Sequence, residues 1–116
     1  MTPIFVFGSN TEGRHGRGAA LFARLHRGAI YGVGEGLQGS SYGIPTRDGS
    51  QRRITSLPLW RIEWHVVRFL AFALVRPDLT FEVTKIGCGL GGYHEWQIAP
   101  MFAGAPANCE MPDGWR

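Results

Sequence analysis

Apolar and polar residues follow two different rhythms along this chain, and each rhythm marks one kind of element. Ile4 to Gly8 is a continuous apolar and aromatic run ending in Gly-Ser-Asn, which predicts a buried strand that feeds a loop. From Arg17 to Arg27 the period becomes helical. Ala19, Ala20, Phe22 and Ala23 are its apolar positions, Arg17, Arg24 and Arg27 share another face, and Gly28 supplies the stop. Ala29 to Tyr31 reads as a very short strand. Ser40 to Thr46, carrying Tyr42 and Ile44, reads as a strand with Pro45 at its end. A polar turn follows over Arg47 to Arg53, centred on Asp48-Gly49. Ser56 precedes a long helix over about Leu59 to Val75, apolar at Ile62, Val66, Phe69 and Ala73 and halted by Pro77. Phe81 to Ile86 alternates as a strand, His94 to Phe102 reads as a last helix and Asn108 to Met111 as a last short strand. Strands and helices in alternation predict an α/β layered sheet in a single domain spanning residues 1–116.

Composition changes this picture in one respect. Glycine supplies 17 of 116 residues, and 13 of them fall in three clusters: Gly8 to Gly18, Gly32 to Gly43 and Gly87 to Gly92. That is roughly twice the usual share, with no Gly-X-Y period, so collagen is excluded and the excess belongs to loops. The net charge is +3, and Lys85 is the single lysine beside 11 arginines. Arginine's planar fork suits phosphate and carboxylate, which points to an anionic partner. Cys88 and Cys109 are too few for a disulfide framework, and no Cys/His spacing forms a metal site. The N-terminal residues lack signal-peptide features, and the longest apolar run, Phe69 to Val75, is too short for a membrane span. A soluble, cytoplasmic protein with no membrane partner is the expectation, and nothing legible calls for a cofactor.

The glycine clusters sit where strands end or helices begin, the place where an open α/β sheet collects ligands. Gly13-Arg14-His15-Gly16-Arg17-Gly18-Ala19-Ala20 opens a helix, so its glycines admit close backbone approach and the free first-turn amides favour an anion. The third cluster follows a strand and precedes a helix, and the same reasoning applies. Gly34-Glu35-Gly36-Leu37-Gln38-Gly39 matches the dinucleotide fingerprint literally, yet Ser40 to Pro45 after it is no helix, so that reading is rejected. The titratable groups near these loops are His15, Glu35, Arg47, Asp48 and His94, with Asn10 as a neutral polar neighbour. A Ser9/His15/Asp48 triad can be drawn, but nothing in the sequence fixes its geometry. His26 reads as solvated, His65 as structural, and Trp60, Trp64, Trp96 and Trp115 as core or interface.

Three segments together resemble the ligand loops of macro domains: Phe7-Gly8-Ser9-Asn10, Gly16-Arg17-Gly18-Ala19-Ala20 and Ile86-Gly87-Cys88-Gly89-Leu90-Gly91-Gly92. The third is most similar to the subgroup that includes the terminal ADP-ribose protein glycohydrolase. The likeness runs from Ile4 to about Phe102, in the shortened form of small bacterial and phage proteins. It implies a three-layer α/β/α sandwich with a mixed sheet that binds ADP-ribose or an ADP-ribosylated macromolecule. Asn10 would meet the distal ribose, beside Gly8 and Ser9. Gly16, Arg17, Gly18 and Ala19 would lie along that ribose and the diphosphate, with Thr46 and Arg47 near them. Gly87, Cys88, Gly89, Leu90, Gly91, Gly92 and Tyr93 would close from the other side. The resemblance also marks two departures. The subgroup's catalytic lysine falls at Arg47, whose guanidinium stays protonated and is no amine nucleophile, and its aspartate falls at Gly91. Removal of ADP-ribose would then need another route, with Asn10 or His15 orienting a water.

A different class of function competes with this one. Arg14, Arg17, Arg24, Arg27, Arg52 and Arg53 could serve a nucleic-acid-binding module as phosphate contacts.

Overall fold

A computed structural model describes residues 2–116. Its first strand, β1 (Ile4–Asn10), is the centre of a mixed sheet. The helix α1 (Gly18–His26) follows, then β2 (Gly36–Gln38), β3 (Ser41–Asp48) and β4 (Thr55–Ser56). The long helix α2 (Leu59–Leu74) leads to β5 (Phe81–Val83), the short α3 (Glu95–Ile98), a 3-10 turn over Ala99–Phe102, and β6 (Cys109–Glu110). Strand order is β2-β3-β1-β5-β6, with β4 added to the far end of β3. The pairs β1–β3, β1–β5 and β5–β6 are parallel, whereas β2 and β4 run antiparallel to β3. Over the described residues this is an α/β protein with a mixed sheet of six strands and three helices.

Side-chain alternation along β1 divides the core. Ile4 and Val6 join Tyr42, Ile44, Ile62, Val66, Phe69 and Phe81 in a large cluster with α2 on one face. Phe5 and Phe7 point the other way, against Ala20, Ala23 and Ala29 of α1 and its exit. Alanines on the inner face of α1 let the helix lie close over the Phe7 ring. On the larger face Phe69 meets Tyr42 and Phe81 with ring centroids 5.0 and 5.3 Å apart, edge to face. Burial there, with Glu35 nearby, pushes the Tyr42 phenol up to about 12, so it stays protonated at any physiological pH. The far end of α2 is fastened by Asn108, whose amide Nδ2 donates to the carbonyls of Ala73, Arg76 and Leu79 at 3.0–3.1 Å.

Four expectations shift. Ala29 to Tyr31 is not a strand, because the Ile30 amide donates to Gln38 Oε1 at 2.7 Å rather than to a ladder. The edge strand β2 forms instead inside the second glycine cluster. Pro45 lies within β3, not at its end, since β2 pairs only Ser41 to Gly43 and leaves the proline's missing N–H unneeded on that side. The Phe81 to Ile86 run pairs only as far as Val83.

Candidate functional site

The parallel strands β3, β1 and β5 all end on one side of the sheet, and a cleft of about 610 Å³ opens there. The register between β1 and β3 slips between Ser9 and Asn10, which pair with Pro45 and Arg47 and leave Thr46 as the extra residue. A bulge at a ligand cleft re-aims a side chain. Here Thr46 borders the cleft and its hydroxyl donates to the Ser9 carbonyl at 3.4 Å.

The first loop is shaped by Asn10. Its Oδ1 accepts from the Arg14 and Glu12 amides at 2.9 and 3.2 Å, and its Nδ2 donates to the Arg14 carbonyl at 3.0 Å. One Nδ2 hydrogen is left for a ligand. The loop then enters α1 through Arg17, an N-cap whose side chain caps nothing, and no acidic residue lies in the first turn. The amides of Gly18, Ala19 and Ala20 therefore keep their orphan character at the positive end of the helix.

The third cluster forms the facing wall. Leu90 packs toward Gly18, with its Cδ1 3.5 Å from where a Cβ would stand. Within the loop the Gly92 amide donates to the Gly89 carbonyl, and that of Tyr93 to the Gly87 carbonyl. Among the described residues the amides of Gly89, Leu90 and Gly91 donate to no protein acceptor. The loop is fastened from behind: Ser56 Oγ donates to the Gly91 carbonyl at 2.5 Å and the Tyr93 hydroxyl to the Leu57 carbonyl at 2.7 Å. At Gly16 and Gly89 an added Cβ would meet no atom within 4 Å, so the space beside the backbone is open.

Charge in the cleft has one sign. Arg14, Arg17, Arg47 and Lys85 border it, and among the described residues no Asp or Glu does. Arg14 is braced by the Gln51 and Gly49 carbonyls at 2.7 and 3.2 Å. Arg47 donates from Nη2 to the Ile54 carbonyl at 2.9 Å, and its buried Nε has no protein partner among the described residues. Lys85 reaches Glu95 at 3.2 Å, outside the cleft. The Trp115 indole N–H first, and Lys85 second, hold the Glu95 carboxyl below its ordinary range.

Most of the residues expected at the ligand meet here: Gly8, Ser9, Asn10, Gly16, Arg17, Gly18, Ala19, Thr46, Arg47, Gly87, Gly89, Leu90 and Gly91. Cys88, Gly92 and Tyr93 belong to the third loop but do not border the cleft. Burial, then Glu95, pushes the Cys88 thiol up, which keeps it out of its nucleophilic form. Sequence reasoning missed Tyr31, Ile54, Thr84 and Lys85 as cleft residues, whereas Arg14, Ala20 and Ile86 lie in the loop segments it singled out. For Thr84 and Lys85 the signal was present, since they lead straight into the third glycine cluster.

His15 has a different place from the one expected. It is fully buried behind the loop, edge-on to Phe7 at 5.3 Å. Its Nε2 faces two acceptors, the Val33 carbonyl at 2.9 Å and Gln38 Oε1 at 3.3 Å, so Nε2 carries the hydrogen. It borders no cleft and fastens the first loop to the second glycine cluster. Ser9, His15 and Asp48 form no triad: the Ser9 hydroxyl donates to the Gly34 carbonyl and Asp48 accepts from Ser50. His94 caps α3, and Glu35 pairs with His65 at 2.8 Å. We expect His15→Ala to lower stability by about 2–4 kcal/mol, through the cavity and the lost donor that Val33 and Gln38 share. Thermal denaturation checks this, and ligand affinity measured well below the transition should change little.

Of the arginines in the nucleic-acid reading, Arg14 and Arg17 border the cleft. Arg24 and Arg27 lie over aromatic rings, Tyr31 for the first and Phe22 and Phe5 for the second. Arg52 and Arg53 are exposed in the β3–β4 connection. Comparison of the chain with protein-family models, curated proteins and solved structures finds no match.

Proposed function

We propose that this protein binds ADP-ribose or a closely related nucleoside diphosphate-ribose in the cleft between its first and third glycine loops. The observation that carries this reading is the pairing of free backbone amides on two facing walls with four cationic side chains and no carboxylate. Amides at a helix start and in a glycine loop hold an anion at fixed distance, and the cations neutralise it. A diphosphate between the two walls meets both sets at once. Helices on the two faces of a mixed sheet are also what a macro-domain-like three-layer sandwich requires, and the order of the loops fits that family.

Binding is the better supported activity, with hydrolysis second. The cleft offers no carboxylate as general base among the described residues, and Arg47 stands where an amine nucleophile would be expected. Gly91 excludes the missing acid in a further way. A Cβ there would stand 2.6 Å from the Gly87 carbonyl oxygen, so any side chain at this position forces the loop to move.

A nucleic-acid module predicts a different response to salt. Contacts to several phosphates give an affinity that falls steeply with salt concentration, whereas one diphosphate in a cleft gives a shallow slope. ADP-ribose affinity should fall by less than about tenfold between 50 and 200 mM salt. Tight, steeply salt-dependent binding of an oligonucleotide, with no ADP-ribose binding, would favour the module instead.

A further inference from the structure

Helix α2 is apolar on two opposite sides, and the cleft makes use of neither. Its inner side (Ile62, Val66, Phe69 and Ala73) is buried in the core. On its outer side Trp60, Trp64, Val67, Ala71 and Leu74 are all exposed. Trp60 is 70% accessible, Trp64 52% and Leu74 68%. At about 100° per residue these five positions fall within roughly 80° of the helix circumference, facing away from the core. Their spacing is four, three, four and three residues, the period of a coiled-coil seam rather than of scattered surface hydrophobics. Two indoles of roughly 150–250 Å² each, more than half exposed, are uncommon on a surface that meets only water.

The flanks of the stripe identify the occupant. Glu63 borders one side, while Arg61 and Arg68 border the other. In heptad terms Trp64 and Ala71 are a positions, Val67 and Leu74 are d positions, Glu63 is g and Arg68 is e. Two identical helices paired in parallel bring each g residue against the e residue five positions on in its partner. Glu63 of one copy then meets Arg68 of the other, twice by symmetry. An antiparallel pair sets Arg68 against a second Arg68. Among the described residues of one chain Arg68 gives only its Nε to Glu35, at 3.1 Å, and its guanidinium lies over the Trp64 ring 4.9 Å from the centroid. The remaining guanidinium nitrogens are free to reach across. The seam is opposite the buried face, so each domain's core lies on the outer side of the helix pair.

We infer that the chain forms a two-fold homodimer through the outer face of α2, with the helices parallel and Glu63 paired to Arg68 of the second copy. Sedimentation equilibrium at about 200 μM, where a micromolar Kd populates the dimer, should give twice the 12.8 kDa chain mass. Val67→Glu, which sets a charge into the seam at an exposed position, should halve that mass while thermal unfolding stays cooperative. Glu63→Arg and Arg68→Glu should each weaken self-association at least tenfold, and mixing the two in equal amounts should restore a heterodimer. A monomeric wild-type chain at 200 μM, or a dimer that survives Val67→Glu, would overturn the proposal. Failure of the mixture to associate would overturn the parallel register.

Discussion

Replacing Arg17 by glutamate should weaken ADP-ribose binding about 100-fold and leave the fold as stable as before or slightly more so. Two effects of opposite sign make this variant informative. Arg17 is the N-cap of α1, its side chain caps nothing, and the first turn holds no acid. A carboxylate there complements the positive end of the helix and stabilises it by about 0.3–1 kcal/mol. For a diphosphate lying against the same helix start, the change removes a cation and adds a like charge. One charge-assisted hydrogen bond is worth about 1.5–3 kcal/mol, and about 2.7 kcal/mol corresponds to the 100-fold loss. Calorimetric titration and thermal denaturation of the same sample give both numbers. If affinity and stability fell together, Arg17 would be a structural residue and the anion would bind elsewhere.

The second large effect belongs to the glycine cluster that the cleft does not use. Gly34 lies so close to the end of β1 that a Cβ would run into the Asn10 carbonyl oxygen and stand 2.8 Å from that of Thr11. Both obstacles are backbone, so neither can swing aside. Gly34→Ala should cost about 3 kcal/mol or more, a fall in Tm of roughly 10 °C or more for a domain of this size. Urea denaturation should show a lower midpoint with an unchanged slope. Unaltered stability would mean that the second cluster does not pack against the first loop as described.

That cluster also shows where sequence reading ends. The fold class was legible because apolar runs and helical spacing are local, and Ile4 to Gly8 or Ile62 to Ala73 carry their own evidence. The first and third glycine loops were legible for a related reason, since each adjoins an element it can be read against. Gly32 to Gly43 packs instead against residues distant in sequence. Its partners are Asn10, Thr11 and His15, brought to it by hydrogen bonds and packing across some 20 residues, which only the folded chain reveals. His15 was misplaced for the same cause. Its position in a ligand loop indicated chemistry, but Val33, Gln38 and Phe7 enclose it, and none of these can be inferred from spacing. Tyr31 went unnoticed because a short strand was expected there. Thr46 was expected beside a ligand and borders the cleft, but its place there depends on a register slip that no residue pattern announces.

Catalysis and binding separate along the same lines. The loops that supply amides and cations border the cleft, and among the described residues no carboxylate does. Gly91 ties the two facts together, because the loop conformation that frees its amide leaves no room for a side chain.

The measurement that bears most directly on the central claim is calorimetric titration of the intact chain with ADP-ribose, with AMP, ADP and NAD as controls. ADP-ribose should bind at least tenfold more tightly than AMP, because the diphosphate spans both amide walls and the distal ribose reaches Asn10. Binding of ADP-ribose no tighter than AMP would contradict the account, since neither the facing loops nor the first loop would then contribute to recognition.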